Sequence, residues 1–207
     1  MPMRPEHIRI VEVGPRDGLQ NEAEPLSPKE RVQLIEQLAN AGLKDIEAGA
    51  FVSPRWVPQM AGSDEVLASL SGREDLRLPV LVPNSKGYQD ARAAGAREIA
   101  VFGSASETFS QRNINCSIDE SLARFAEVCR LAKDDGVLIR GYISCVLGCP
   151  YEGEVDIARV AALAAALTEM GCSEISLGDT IGVGTPDKAR ALVKACASES
   201  GIDNLSV

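Results

Sequence analysis

The chain has 207 residues, 45% of them hydrophobic and 25% charged. That is ordinary globular usage, and one or two domains with a sizeable core are expected. A formal charge of −9 without any dense Lys/Arg run argues against a nucleic-acid partner and fits a soluble cytoplasmic surface, because nothing is placed to neutralise phosphates.

No apolar run approaches the roughly 20 residues of a membrane-spanning helix. Met1 to His7 also lack the apolar segment of a signal peptide, so neither membrane insertion nor export is expected. Ile8 to Val13 are β-branched and alternating until Gly14-Pro15 stops them. A strand is therefore expected to end there and to present Arg16 and Asp17 at its carboxyl end. An Arg-Asp dipeptide can be a solvated ion pair with no role. Here Gly14, Pro15 and Gly18 fix an unusual backbone around the pair, which favours a site.

Ser27-Pro28-Lys29-Glu30 has the form of a capping box and opens a helix to about Asn40, stopped before Gly42. A second strand is expected over Asp45 to Phe51. Ser63 is expected to cap a short helix through Leu70, followed by a third strand over Leu78 to Val82 that Pro83 ends. Residues 86 to 94 read as a helix closing at Gly95, and Glu98 to Gly103 as a fourth strand. Ser104 to Asn115 reads as a polar loop, long for a connector and so a candidate for function.

A second capping box, Ser117-Ile118-Asp119-Glu120, starts a helix whose stripe runs through Leu122, Phe125, Ala126, Cys129 and Leu131 to a stop at Gly136. Val137 to Val146 is the expected fifth strand. A turn over Gly148 to Gly153 leads to an Ala-rich helix from about Asp156 to Met170, stopped by Gly171. Ser173 to Leu177 is the sixth strand, Thr185-Pro186 opens a helix through about Ser198, and Leu205 to Val207 begins a seventh strand. Cysteines at 116, 129, 145, 149, 172 and 196 are spread along these elements, which favours buried thiols in a reducing compartment. Cys145 and Cys149 have no second Cys/His pair to complete a zinc site.

Strict strand-helix alternation means right-handed parallel βαβ units. A doubly wound sheet would want a Gly-rich phosphate loop after its first strand. Gly14-Pro15-Arg16-Asp17-Gly18 does not match that loop, and Pro15 removes one of the amides it uses. A TIM (β/α)8 barrel usually needs about 250 residues or more. The pattern supplies six βα units and the start of strand seven, so residues 1–207 read as a single, incomplete TIM-barrel domain cut off at its C-terminal side.

Gly14-Pro15-Arg16-Asp17-Gly18-Leu19-Gln20-Asn21 resembles the first-strand signature of the hydroxymethylglutaryl-CoA lyase family, metal-dependent TIM-barrel lyases. Further matches fall at successive strand ends: Phe51 to Met60 after the second strand, Phe102 to Glu107 and Asn113 to Asn115 after the fourth, Tyr142 to Gly153 at the fifth, and Leu177 to Gly182 at the sixth. Ala50 departs from the family, where relatives often carry a Ser that can contact substrate.

The resemblance implies retro-Claisen cleavage of 3-hydroxy-3-methylglutaryl-CoA to acetyl-CoA and acetoacetate, a leucine-degradation and ketone-body reaction, with a divalent cation (Mg2+ or Mn2+) as cofactor. A base must take the tertiary hydroxyl proton while the ion polarises the forming ketone, and a cation must stabilise the departing thioester enolate. Asp17 suits metal ligation, Arg16 the enolate oxygen, and Glu47 the positioning of Arg16 or of a metal-bound water. Without the family pattern Glu47 would read as a polar residue in the barrel mouth. Gln20, Tyr142, Ser176, Asp179 and Thr180 are further candidates for substrate contact or loop positioning. Asp179 reads equally as a turn-forming Asp.

The family also uses a His-x-His pair, an Asn and a loop Cys that have no counterpart in this sequence. Its sole histidine, His7, lies before the first strand and reads as a surface residue. A related aldolase or Claisen-condensing synthase on the same barrel, or an inactive fragment, is the alternative. A small-molecule acyl-CoA is the expected partner, with a possible homo-oligomer.

Overall fold

A computed structural model describes residues 8–207; His7 lies outside them. The chain forms two compact units, one running to Val82 and including Gln89–Glu98, the other comprising Pro83–Tyr88 and Ile99–Val207.

The first unit opens with β1 (Val11–Glu12), shorter than the expected Ile8–Val13 strand. β1 pairs with the next strand through Val11 and Glu12. Ile8 and Ile10 lie largely in solvent, so the alternation there has no buried face to match. A π-helical turn, Gly14–Gly18, follows directly, with Pro15 in its first turn and the amide of Asp17 bonded to the Val13 carbonyl at 2.7 Å. Helix α1 (Pro28–Asn40) starts on the expected capping box: the Ser27 side chain accepts from the Glu30 amide and the Glu30 carboxylate from the Ser27 amide. Its buried positions Arg31, Ile35 and Ala39 are four apart, one stripe on a 3.6-residue helix.

The expected second strand, Asp45 to Phe51, is realised as β2 (Asp45–Ile46) and β3 (Gly49–Ala50), broken at Glu47-Ala48. β2 pairs in parallel with β1. β3 pairs with β4 (Val80–Leu81), the core of the expected third strand, after helix α2 (Ser63–Ser69). Along this stretch successive amides bond the two neighbours in turn: Ile46 donates to the Arg77 carbonyl, Glu47 to the Glu12 carbonyl and Ala48 to the Pro79 carbonyl. Pro79 has no N–H to return to the ladder.

Ser63 does not cap α2. Gly62, in the left-handed region at φ +71, is the N-cap, and the Ser63 hydroxyl instead donates to the Met60 carbonyl at 2.7 Å and accepts from the Ala50 amide at 3.2 Å. A tertiary bond thus takes the side chain a local cap would have used. Helix α3 (Ser85–Ala93) follows and leads into β5 (Glu98–Ser104).

The stretch expected as a loop, Ser104 to Asn115, is helical over α4 (Glu107–Ile114). The Ser106 side chain caps it by accepting from the Phe109 amide, and Asn115 closes it at φ +50. Its polar composition concealed a helix held by these two ends. α5 (Ile118–Asp134) begins on the second capping box, as expected. β6 (Leu138–Ser144), α6 (Ile157–Glu169), β7 (Glu174–Leu177), α7 (Pro186–Ser200) and β8 (Leu205–Ser206) complete the chain. In the second unit β5, β6, β7 and β8 are neighbours in that order, and β6–β7 and β7–β8 run parallel.

Ile35, Ile46, Val66 and Val80 are fully buried in the first unit, and Val128, Val160, Ala164 and Ile175 in the second. All six cysteines are buried and free. Among the described residues no helix is long and apolar enough to cross a membrane.

Candidate active site

The π-helical turn after β1 carries Arg16 and Asp17 in opposite environments. The Arg16 guanidinium is drawn under the turn, leaving the residue 8% exposed, and its Nε and Nη2 converge on Glu47 Oε2 at 2.9 and 2.8 Å. Glu47 is wholly buried at the break between β2 and β3. The third guanidinium nitrogen, Nη1, reaches Asp17 Oδ1 at 2.7 Å, while 57% of the Asp17 side chain stays open to solvent. The pair is therefore not the solvated surface contact an Arg-Asp dipeptide usually makes. A fixed cation is braced from beneath by one carboxylate and faces a second, exposed one.

Backbone geometry sets this arrangement. Arg16 and Asp17 both donate their amides to the Val13 carbonyl, at 3.1 and 2.7 Å, so the two side chains leave one tight turn. Glu12, which the sequence reading did not single out, closes the strand end: its Oε1 accepts from the Gly14 amide at 2.6 Å. A Cβ on Gly14 would stand 2.8 Å from that oxygen, so a larger residue there would have to move the Glu12 carboxylate off this bond. The only sequence signal was an acidic residue two places before Gly14-Pro15. Gln20 is half-buried just beyond the turn.

In the second unit Tyr142 on β6 and Ser176 on β7 stand opposite each other in the ladder, both half-buried. The Arg140 guanidinium lies 5.6 Å from the Tyr142 ring centre and its Nη2 pairs with Glu174 at 2.7 Å. Asp179 takes the turn-forming role: its two carboxylate oxygens accept the amides of Val183 and Gly184 at 3.2 and 2.8 Å. Thr180 Oγ1 accepts from the Cys145 amide at 2.8 Å, tying the loop after β7 to the end of β6. A cavity of about 360 Å3 opens beside this loop, walled by Val146, Leu147, Leu177, Asp179 and Leu192 among others.

Asp17 fits a divalent cation as one hard oxygen donor, being the open carboxylate of the cluster. Among the described residues no group of three or more His, Cys, Asp or Glu side chains could enclose an ion.

Residues 7–205 match the HMGL-like family model. The chain is 58% identical over 192 residues to hydroxymethylglutaryl-CoA lyase of Pseudomonas mevalonii, covering 93% of this chain and 64% of that protein. It is 56% identical to the 3-hydroxy-3-isohexenylglutaryl-CoA/hydroxymethylglutaryl-CoA lyase of Pseudomonas aeruginosa, covering 94% and 65%. The chain thus spans about two thirds of the length of these curated relatives. The crystal structure of hydroxymethylglutaryl-CoA lyase from Pseudomonas aeruginosa superposes with a TM-score of 0.93 at 55% identity, covering 97% of this chain and 67% of that one. The parallel α/β fold is that of the TIM-barrel lyases, and the chain belongs to the HMGL-like family.

Proposed function

We propose that the protein of which these residues form a part is a hydroxymethylglutaryl-CoA lyase, cleaving 3-hydroxy-3-methylglutaryl-CoA to acetyl-CoA and acetoacetate. The observation that carries this reading is the Arg16 guanidinium, buried against Glu47 and turned toward the exposed Asp17 carboxylate. Retro-Claisen cleavage leaves negative charge on a thioester oxygen, and a preorganised cation beside that oxygen stabilises the transition state without reorganising. Arg16 is such a cation, planar, always charged and immobilised.

Glu47 acts through Arg16, holding its Nε and Nη2 and leaving Nη1 on the Asp17 side. Asp17 is the proposed ligand for Mg2+ or Mn2+, which when bound supplies a Lewis acid that polarises the ketone formed as the carbon–carbon bond breaks. Gln20, Tyr142 and Ser176 are proposed substrate contacts, and Asp179 and Thr180 act by shaping the loop after β7. The proposal includes a single TIM-barrel domain, an acyl-CoA substrate, a homo-oligomer, and a cytoplasmic place in leucine breakdown.

The test is Asp17→Asn in the full-length protein. An amide keeps the shape and loses the charge. Acetoacetate release and Mn2+ affinity are expected to fall together while the far-ultraviolet circular dichroism stays unchanged. Near-normal turnover with unaltered Mn2+ affinity would remove Asp17 from the site and the reading with it.

A further inference from the structure

In the second unit an exposed arginine is held over an aromatic ring, and the proposed lyase chemistry uses neither. The guanidinium carbon of Arg112, in the last turn of α4, stands 4.3 Å from the centre of the Tyr151 ring. Tyr151 belongs to the turn after β6, which Cys149 and Gly153 close by exchanging backbone bonds at 2.8 and 3.0 Å. Phe109, three residues before Arg112 on the same helix, meets that ring with centres 6.3 Å apart. Helix and turn are tied a second time, because the Thr108 amide donates to Glu152 Oε1 at 2.6 Å. The approach to α4 is in turn fixed to the end of β6 by the Ala105 amide on the Ser144 carbonyl at 3.0 Å. The platform is therefore rigid, yet Arg112 is exposed and Tyr151 is 49% exposed.

Such a stack can be a surface contact and nothing more. Two observations point past that reading. In a chain of net charge −9, Arg73, Arg77, Arg130 and Arg190 each pair with a carboxylate, whereas Arg112 makes no ion pair among the described residues. The acids of the same helix and turn are given to backbone instead: Glu107 Oε2 accepts the Ile118 amide at 3.1 Å, and Glu152 the Thr108 amide. A guanidinium whose face lies on a ring keeps the N–H donors of its edge for an anion. The platform also follows the carboxyl ends of β5 and β6, neighbouring strands, and that is the end at which barrel enzymes take their substrates. β6 itself carries Tyr142, a proposed substrate contact. We propose that Arg112 and Tyr151 form the subsite for the nucleotide end of the acyl-CoA substrate, with Arg112 donating to a phosphate and the adenine plane lying against the Arg112–Tyr151 stack. This rests on the lyase reading and extends it to the half of the substrate remote from the breaking bond.

The chemistry of the ligand suits both side chains. The thioester reacts at one end of a flexible pantetheine arm, and the other end carries adenine on a phosphorylated ribose. Adenine offers a flat π face to a stacked guanidinium, and its phosphates offer planar sets of acceptor oxygens to the guanidinium edge. Inorganic phosphate would use the cation without the ring, and adenosine the ring without the charge. Adenosine 3′,5′-bisphosphate uses both. Anchoring this remote end stabilises the ground state and the transition state alike, so it belongs in KM and not in kcat.

The test is isothermal titration of the full-length protein with adenosine 3′,5′-bisphosphate, with inorganic phosphate and adenosine as comparison ligands. The bisphosphate is expected to bind about tenfold more tightly than either, since it engages cation and ring together. Arg112→Ala and Tyr151→Ala should each weaken it about tenfold, the effect of losing a charged hydrogen bond or a stacked ring. Tyr151→Phe keeps the ring and should keep the affinity. Both side chains are exposed, so the thermal unfolding midpoint should not shift in any of these variants. In steady-state kinetics with 3-hydroxy-3-methylglutaryl-CoA, Arg112→Ala should raise KM about tenfold and move kcat little. Unaltered bisphosphate affinity in Arg112→Ala overturns the proposal. So does inorganic phosphate that binds as tightly as the bisphosphate, which would make Arg112 a general anion contact. A protein that loses bisphosphate binding in Arg112→Ala and yet, unsubstituted, cleaves no 3-hydroxy-3-methylglutaryl-CoA would keep the nucleotide subsite and lose the lyase assignment.

Discussion

Arg16 and Glu47 are 31 positions apart in sequence and meet as a buried ion pair, and that pairing separates two measurable roles. Arg16→Gln removes the charge proposed for the enolate oxygen, so kcat should fall far more than KM rises. A lost oxyanion contact of this kind is worth about 3 to 4 kcal/mol, two to three orders of magnitude in rate. Steady-state kinetics of the full-length variant decide it: a rise in KM alone would make Arg16 a binding residue. Glu47→Gln instead leaves a guanidinium buried without its counter-charge. Breaking such a pair from one side costs about 3 kcal/mol or more, so the urea midpoint should drop along with kcat. An unchanged midpoint would show that Asp17 and the turn hold Arg16 without Glu47. The Arg-Asp dipeptide and its glycines were legible in the sequence. The burial of Arg16 was not, because it depends on a carboxylate delivered by a different strand.

At the scale of the elements, local chemistry was legible wherever a motif acts on its own backbone. Both capping boxes formed as written, at Ser27–Glu30 and Ser117–Glu120. Where a side chain had a better distant partner the local reading failed. Ser63 gave up its cap to bond Met60 and Ala50. α4 was hidden because its identity rests on its ends, Ser106 and Asn115, more than on an apolar stripe. The capping boxes also carry a pH dependence. The Glu120 carboxyl is held below its ordinary value of 4.5, chiefly by the Ser117 amide and then by its hydroxyl. With the folded value depressed, the contribution is fully present above about pH 4.5 and is lost as pH falls through the folded value. Glu120→Gln cannot titrate and should flatten this dependence. Urea unfolding of both proteins at about pH 6 and about pH 3 checks it. Parallel curves for the two proteins would remove Glu120 from the acid response.

In each unit, ion pairs gather toward the start of the strands. Ahead of the turns in the first unit, Asp45 Oδ1 takes Arg9 at 3.0 Å and Arg77 at 3.1 Å, and Arg77 grips Glu98 through two nitrogens. In the second unit Arg140 pairs with Glu174 and reaches Ser206 at 3.3 Å. Arg9, Asp45, Arg140 and Glu174 sit toward the amino-terminal ends of their strands, where barrel residues serve stability, while Arg16, Asp17 and Thr180 follow the carboxyl ends, where the proposed chemistry would lie.

That division also sets what residues 1–207 can do with a metal ion. Asp17 is the one proposed ligand, and a single carboxylate leaves Mn2+ with most of its water shell. Residues 1–207 should therefore bind Mn2+ with a dissociation constant on the order of millimolar, and Asp17→Asn should abolish even that. Electron paramagnetic resonance of free Mn2+ during a titration reads both. Micromolar binding that survives Asp17→Asn would place the ligands elsewhere in these 207 residues and undo the assignment of Asp17. Weak binding that Asp17→Asn eliminates ties the ion to the exposed carboxylate beside Arg16, where the charge of the proposed reaction would develop.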